Sequence, residues 1–293
     1  MATVEMAGRR PNGLLGGLSH FFSRSVVQIV LLIVGLMWLT PTFGLLITSM
    51  RDPGDVSATG WWTVFTKPAE LTIASYQDLL DDPSIITALV NTVLITLPAT
   101  LILLAIAALA AYALAWVDFK GRDAVFLIVV SLLVVPLQIA LIPVAGLYNA
   151  AGIFGSIPGV VLFHLAFGMP LAVFLLRNFF IGIPAELLEA ARMDGASEWR
   201  VFTRVVLPLG IPAIASLFIL QFLFVWNDML VALVFADPQA APLTVFIQRQ
   251  TRQFGANIDI IAPASFVQMV VPLVVFFAFQ RYFVQGLLAG STK

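Results

Sequence analysis

Six long apolar runs dominate the pattern of hydrophobic and polar positions along the chain, at 26–47, 85–115, 124–144, 157–176, 206–235 and 262–283. Each run reaches the roughly 20 residues that a helix needs to cross a hydrocarbon core of about 30 Å. The runs lack the alternation of polar and apolar residues that barrel strands show, and lipid offers no partner for free backbone groups. The pattern therefore predicts an all-α fold, a polytopic membrane protein with six transmembrane helices.

The composition agrees with that prediction and narrows the chemistry. Of 293 residues, 60% are hydrophobic and 11% charged, against about 45–50% and 25% in soluble domains. The net charge is −1 and no Lys/Arg cluster occurs, so no nucleic acid is expected as a partner. No cysteine is present, and His164 has no adjacent Asp, Glu or second His with which to bind a metal. We predict neither catalytic nor metal-binding residues.

Lys and Arg residues are distributed unequally between the segments that separate the runs. With the N-terminus placed inside, eleven of them fall in inner segments and four in outer segments. The positive-inside rule then predicts that both termini are cytoplasmic. The chain divides into a tail at 1–25, a transmembrane domain at 26–284 and a second tail at 285–293, with the acidic segment 50–84 outside.

The segment 177–208 carries eight charged side chains and does not fit lipid. Pro184 suits the start of a first short helix, Asp194 and Gly195 end it, and Ser197 can cap a second. The three- and four-residue spacing of a helix that docks into a protein groove is kept by Leu187, Ala190, Ala191 and Asp194. A solvated loop, or a helix on the membrane surface, would explain the same spacing.

This segment resembles the EAA loop of ATP-binding-cassette (ABC) importer permeases, and we call it the EAA loop. The resemblance lies in Glu189-Ala190-Ala191, Asp194-Gly195-Ala196, Val205, Leu207 and Pro208, with Val205 where the pattern usually has isoleucine. It implies a cytoplasmic coupling helix that sits in a cleft of a separate ATPase subunit. It further implies that Glu189 and Asp194 make polar contacts with that subunit and that Ala190 and Ala191 allow its close approach. Gly195 would form the turn, and Leu207-Pro208 would begin the fifth span.

Other motifs are similar to the carbohydrate branch of that family, the maltose-type second permease. They are Val135-Pro136-Leu137-Gln138, Trp226-Asn227-Asp228 and the segment 279–287. Arg51-Asp52 and Gly60-Trp61-Trp62 are similar to permeases for α-glucosides. The resemblance implies a bacterial cell-membrane importer with a second homologous permease, two ATPase subunits that bind ATP and Mg, and an extracytoplasmic sugar-binding protein.

Polar residues within the apolar runs are candidates for the substrate pathway. Asp228 is predicted well inside the fifth span. Placing a carboxylate there costs free energy, so such a residue is first interpreted as functional. With Trp226 and Asn227 it offers an acceptor, an aromatic face and an amide for a sugar. Gln138 and Asn91 are further candidates. Two interpretations stay open for these residues, contact with substrate or hydrogen bonding between helices. For Asp228 a third is open, a hydrated position at the outer interface near Asp237.

The predicted function is that of a permease subunit for a di- or oligosaccharide, including α-glucosides, that forms half of the pathway. No G-x-x-x-x-G-K-[ST] phosphate loop is present. We therefore expect no cofactor in this chain and ATP hydrolysis in a separate subunit. The alternative is a self-sufficient secondary sugar carrier, which would show internal repeats and ion-coupling acids. Dependence of uptake on ATP distinguishes the two.

Overall fold

The computed structural model describes residues 15–251 and 257–291, with side chains at 25–251 and 257–281. Over these ranges the chain consists of helices and turns with two isolated bridges, Arg51 to Leu71 and Gly155 to Ala236. The predicted tails fall largely outside the described residues, including Arg9, Arg10 and Lys293. The chain divides into two compact units, Met1–Ile73 and Ala74–Lys293.

The first unit holds one long helix and a short segment that follows it. Helix α1 spans Leu15–Ser49 and contains a candidate membrane span at Ser25–Ser49. Helix α2, Pro53–Ala58, starts at Asp52, whose carboxylate accepts a hydrogen bond from the Gly54 N–H. Two 3₁₀ turns close the unit at Trp61–Phe65 and Pro68–Glu70.

The second unit contains the remaining helices. In chain order they are α3 Ala74–Asp81, α4 Pro83–Trp116, α5 Arg122–Ser131, α6 Leu137–Ala151, α7 Ile157–Ile181, α8 Ala185–Met193, α9 Glu198–Val201, α10 Leu207–Trp226, α11 Leu230–Phe235, α12 Leu243–Gln250 and α13 Ile258–Ser291. A 3₁₀ turn, Leu132–Val134, follows α5.

The core of the second unit lies where α4 packs against α7 and α10, while α10 also packs against α13. Small residues allow this close approach, as is usual between membrane helices. On α4, Ala99, Ala107 and Ala111 are all fully buried. On α7, a Cβ at Gly168 would lie 2.4 Å from Leu103 Cδ1. A larger residue at Gly168 would therefore have to displace the side chains of Leu103 and Gln221.

Within 15–251 and 257–291, five helices are long and apolar enough to span a membrane, or six if one bent pair counts as a single span. That pair comprises Arg122–Val134 and Leu137–Ala151, which meet at 102°. It replaces the single span predicted at 124–144. The cause is local, because Pro136 offers no N–H and holds Val135 in an extended conformation, with ψ of 115°.

The predicted fifth span, 206–235, also differs from the observed helices. A continuous helical stretch at Glu198–Trp226 forms the candidate span, and the separate helix α11 begins only at Leu230. Asp228 therefore lies at a break between helices rather than well inside a span. The all-α, multi-span class is nevertheless the one predicted.

Candidate functional site

The EAA loop is built around α8, whose ends follow from local sequence. Pro184 lies at the N-cap, one residue before the helical position predicted for it. Gly195 follows the C-cap with φ of +80°. Its N–H donates to Arg192 O at 3.0 Å, and the Ala196 N–H donates to Ala191 O at 3.0 Å. Such a pair of bonds is a Schellman motif, which favours glycine at the left-handed position. The predicted turn at Gly195 is present.

The two faces of α8 differ in exposure. Leu188 is fully buried, and Ala191 packs beside it against the core formed by α4, α7 and α10. On the other face, Leu187 is 46% and Met193 88% exposed, with Ala190 also exposed. These three residues are spaced three apart, and we call them the exposed ridge. Ala191, predicted to belong to this ridge, packs instead against the chain's own core.

A hydrogen-bonded network fastens the loop to the end of α4, and we call it the clasp. The Tyr112 hydroxyl donates to Glu198 Oε2 at 2.5 Å, and Arg192 donates from Nε to Glu198 Oε1 at 2.9 Å. Arg192 also donates from Nη2 to Trp116 O at 3.2 Å. The Trp116 indole donates to Phe180 O at 3.0 Å. The clasp therefore joins α8 and α9 to α4 and α7.

The clasp combines a partly exposed ion pair with a buried hydroxyl, since the side chains of Arg192 and Glu198 are 35% and 49% exposed and Tyr112 is 5% exposed. The hydrogen bond to the Glu198 carboxylate raises the pKa of Arg192 above its ordinary value, so the guanidinium stays charged. Tyr112 is buried, and a buried hydroxyl requires a partner. Sequence patterns gave no signal for this network. Tyr112 and Glu198 are 86 positions apart, and Arg192 and Glu198 are separated by six, which is not a helical spacing.

The loop passes into the fifth span without a break. Between α9 and α10 the chain forms a π-helical turn at Phe202–Val206, in which the Leu207 N–H donates to Phe202 O. Pro208 has no N–H to donate to Arg204 O, and a π turn accommodates that missing bond. Helix α9 thus continues directly into α10, and α8 is linked to it by the turn at 194–197.

This continuity corrects two details of the predicted loop. The second short helix predicted after Gly195 is the first turn of the helical stretch Glu198–Trp226, which starts before Leu207. Ser197 occupies the N-cap without a side-chain capping bond. Glu189 and Asp194 are both exposed, as polar contacts to a partner would require.

Two of the predicted pathway residues make structural hydrogen bonds. Asn91 donates from Nδ2 to Gln239 O at 2.8 Å and to Ala241 O at 3.1 Å, which ties α4 to the turn before α12. Trp226 is only 3% exposed and donates from Nε1 to Gln268 O at 2.9 Å. Gln268 returns the contact by donating from Nε2 to Trp226 O at 2.8 Å. These contacts match the interpretation of hydrogen bonding between helices.

The other pathway candidates differ in their contacts and exposure. Asn227 is exposed and donates to Leu223 O at 2.9 Å, within its own helix. Gln138 is exposed just after the bend between α5 and α6. Asp228 accepts from the backbone N–H of Val231 at 3.3 Å and of Ala232 at 3.2 Å, which caps α11. The trio at 226–228 therefore does not form one shared surface.

His164, for which no catalytic role is predicted, lies beside Asp228. Its Nε2 is 3.6 Å from Asp228 Oδ2, longer than a hydrogen bond, and its side chain is 1% exposed. Thr92 and Thr96 line the same small cavity. Sequence reasoning missed this pair because His164 lies in α7 and Asp228 lies far along the chain, at the break between α10 and α11.

Long apolar helices and a charged loop fastened to their ends define a polytopic membrane permease. A family model described as binding-protein-dependent transport system inner membrane component matches residues 104–289. The chain belongs to that family, the permease subunits of ABC importers. It is therefore a multi-pass inner-membrane transport subunit rather than an enzyme, as the EAA resemblance predicted.

Relatives and a solved structure agree with this assignment. The chain is 45% identical over 280 residues to the osmoprotective compounds uptake permease protein GgtD of Synechocystis sp., covering 94% of each. It is 46% identical over 235 residues to the alpha-glucoside transport system permease protein AglG of Rhizobium meliloti, covering 78% of this chain and 62% of that one. Its fold matches a bacterial ABC transporter involved in alginate import, with a TM-score of 0.77 and 23% sequence identity. The match covers 90% of this chain and 98% of that chain.

Proposed function

We propose that this chain forms one half of a sugar pathway, that a second homologous permease forms the other half, and that α8 docks into a cleft of an ATPase subunit. Two ATPase copies would bind ATP and Mg, and an extracytoplasmic binding protein would deliver the sugar. The observation that carries the proposal is the exposed ridge of α8, which stands on a charged loop fastened to the spans by the clasp.

The ridge has the properties of a docking surface. Leu187 and Met193 are exposed on an otherwise charged loop, and Trp199 nearby is 66% exposed. Burying a side chain of that size stabilises a complex by about 1.5–3 kcal/mol when burial is complete. The clasp and the π turn connect α8 to α4 and α10. A displacement of the exposed ridge would therefore be transmitted to the membrane spans.

The proposed substrate is a di- or oligosaccharide, with α-glucosides the first class to test. The names of GgtD and AglG refer to osmoprotective compounds and to an alpha-glucoside. Among the pathway candidates, Asn227 and Gln138 have the exposure that sugar contact requires. Asn91, Trp226 and Asp228 would hold the helix ends around the cavity in place.

Transport assays test the energy source. The complex is purified with its binding protein, placed in lipid vesicles and supplied with maltose, sucrose or trehalose. We expect one of these sugars to stimulate ATP hydrolysis severalfold and uptake to require ATP. Uptake that follows an ion gradient without ATP would instead establish the secondary carrier. Reporters fused after Lys293 or within 177–208 should report cytoplasmic, and those within 50–84 external.

Cross-linking tests the docking surface directly. Because the chain contains no cysteine, Met193→Cys introduces a single thiol on the ridge. Lys120→Cys is the matched control, since Lys120 is exposed on the turn between α4 and α5. We expect Met193→Cys, but not Lys120→Cys, to cross-link to the ATPase. Equal labelling of both positions by a water-soluble thiol reagent in the assembled complex would contradict the docking role of α8.

A further inference from the structure

The segment 51–73, which we call the aromatic segment, exposes large aromatic side chains. Trp62 is 62% and Phe65 68% exposed, and Ile73 at the end of the segment is 58% exposed. Apolar patches of this kind on a folded segment mark a contact surface. The segment follows α1 directly, so its position relative to that membrane span decides what the patch contacts.

Trp61 fixes that position by packing against α1. A Cβ at Gly44 would lie 2.9 Å from Trp61 Nε1, so the indole rests on the glycine. Phe43 contacts both neighbouring rings, with centroids 5.9 Å from Trp61 and 6.4 Å from Phe65. Phe43 and Gly44 belong to the candidate span Ser25–Ser49. The aromatic segment therefore folds back alongside the membrane helix.

The helix geometry gives the depth of the patch. Phe43 precedes the last residue of α1, Ser49, by six positions, which corresponds to about 9 Å along the helix axis. The ring of Phe65 stacks at that level. With the end of α1 taken as the membrane surface, this level falls in the zone between headgroups and acyl chains, where aromatic side chains concentrate in membrane proteins.

A buried arginine holds the segment in this fold. Arg51 is 1% exposed, and its guanidinium lies 2.6 Å from Glu70 Oε2. It also donates to Thr59 Oγ1 at 2.6 Å, Thr63 Oγ1 at 3.0 Å and Gly60 O at 3.1 Å. These bonds tie both ends of the segment to one side chain. The exposure of Trp62 and Phe65 is thus a feature of an ordered surface rather than of a loose loop.

We propose that the aromatic segment is a lipid-binding surface, in which Trp62 and Phe65 insert into the membrane interface next to the end of α1. Lys67 fits this role, because its side chain is 67% exposed and lies two positions from Phe65. Its ammonium lies 3.8 Å from Glu70 Oε1, and a lysine in this position can also extend to lipid phosphates while its stem covers apolar surface. The surface anchors the first span at a fixed depth, independently of the ATPase and of the sugar.

Site-directed spin labelling tests the insertion. Single cysteines replace Trp62, Phe65 or Lys67 in the full chain with its co-purifying subunits, in nanodiscs of phosphatidylcholine and phosphatidylglycerol. Leu32→Cys, at a 62% exposed position within the span, provides the deep reference. The unsubstituted chain, which has no cysteine, gives the background. Collisions with oxygen report lipid, and collisions with a water-soluble nickel complex report water.

The quantity compared is the ratio of collisions with oxygen to collisions with the nickel complex. We expect this ratio at positions 62 and 65 to be severalfold higher than at position 67 and lower than at position 32. Arg51→Gln should reduce the ratio at both positions, because it releases the segment. Ratios at or below that at 67 would leave the patch no deeper than the headgroup phosphates and overturn the proposal. Immobilised labels that neither reagent reaches would indicate contact with another protein subunit and would overturn it equally.

Discussion

The EAA loop and the aromatic segment are both polar connections held by an Arg–Glu pair, yet they are fastened in different ways. In the EAA loop, Arg192 pairs with Glu198 at 2.9 Å and the network extends to Tyr112, 86 positions away. In the aromatic segment, Arg51 pairs with Glu70 at 2.6 Å, and the two residues are only 19 positions apart. The first network therefore joins distant helices, whereas the second closes a segment on itself.

This difference predicts different mechanical roles. A displacement of α8 must either break the clasp or move α4 and α7 with it, because Trp116 and Phe180 belong to the same network. Release of the Arg51 pair would free the aromatic segment and leave those helices where they are. Variants of the first network should impair coupling, and variants of the second should alter local order and leave transport nearly unchanged.

The largest effect is expected from Glu198→Ala. The change leaves the buried Tyr112 hydroxyl without a partner, which costs about 1–3 kcal/mol, and leaves Arg192 without its carboxylate. Since 1.4 kcal/mol corresponds to tenfold, sugar-stimulated ATP hydrolysis should fall by about tenfold. The measurement is hydrolysis and uptake by the purified complex.

Two controls separate the bonds of the clasp. Glu198→Gln keeps an acceptor for Tyr112 and should lose less activity than Glu198→Ala. Tyr112→Phe removes the hydroxyl together with its need for a partner and should lose least. Wild-type coupling in Glu198→Ala would mean that the clasp carries no motion.

A neighbouring pair of substitutions distinguishes the two faces of α8. Ala191→Leu should overpack the chain's own core, at a cost of about 1–3 kcal/mol, and lower the thermal stability of the purified chain. Ala190→Leu extends the exposed side, so it should leave that stability unchanged and weaken co-purification of the ATPase. Identical behaviour of the two variants would contradict the assignment of faces.

The conformation of Gly195 gives the next effect in size. No atom would lie within 4 Å of a Cβ there, so any penalty comes from the left-handed backbone, roughly 1–2 kcal/mol for an ordinary residue. Gly195→Val should therefore reduce coupling severalfold. Gly195→Asn, which tolerates this conformation, should behave almost like the wild type. Equal loss in both variants would show that a contact, rather than the turn, requires glycine.

These regions also show which features the sequence could reveal. The ends of α8 depend on residues close to them in the sequence. Pro184 and Gly195 therefore predicted where the helix begins and ends. The inward position of Ala191 depends on how α8 packs against α4 and α7, and the helical spacing of the loop leaves that direction undetermined. The clasp joins residues with no periodic relation, so no local pattern indicates it.

The spans show the same division between local and tertiary information. Their apolar runs identify them because lipid selects for hydrophobic length. The 102° bend had a signal in Val135-Pro136, but a proline produces either a mild kink or a full break according to its neighbours. The break at 227–229 had no proline signal. There, Asp228 caps α11, and the apolar residues on both sides made one continuous run.

The smallest effect on transport is expected from Glu70, where pH supplies the test. Burial raises the pKa of Glu70, but the hydrogen bond and charge of Arg51, aided by Thr63 and Lys67, lower it further, so it lies below its ordinary value of 4.5. A lowered carboxyl pKa stabilises the closed segment above the ordinary value, and that stabilisation is lost as the pH falls through the lowered pKa. A spin label at position 62 should therefore stay ordered at pH 7 and become mobile only in acid, below about pH 4.5.

Glu70→Gln should remove this acid transition, whereas Asp52→Asn, which retains a helix cap, should keep it. Transport by Glu70→Gln at pH 7 should remain close to that of the wild type, because Glu70 belongs to the aromatic segment and not to the clasp. A tenfold loss would mean that the aromatic segment, like the EAA loop, takes part in the transport cycle.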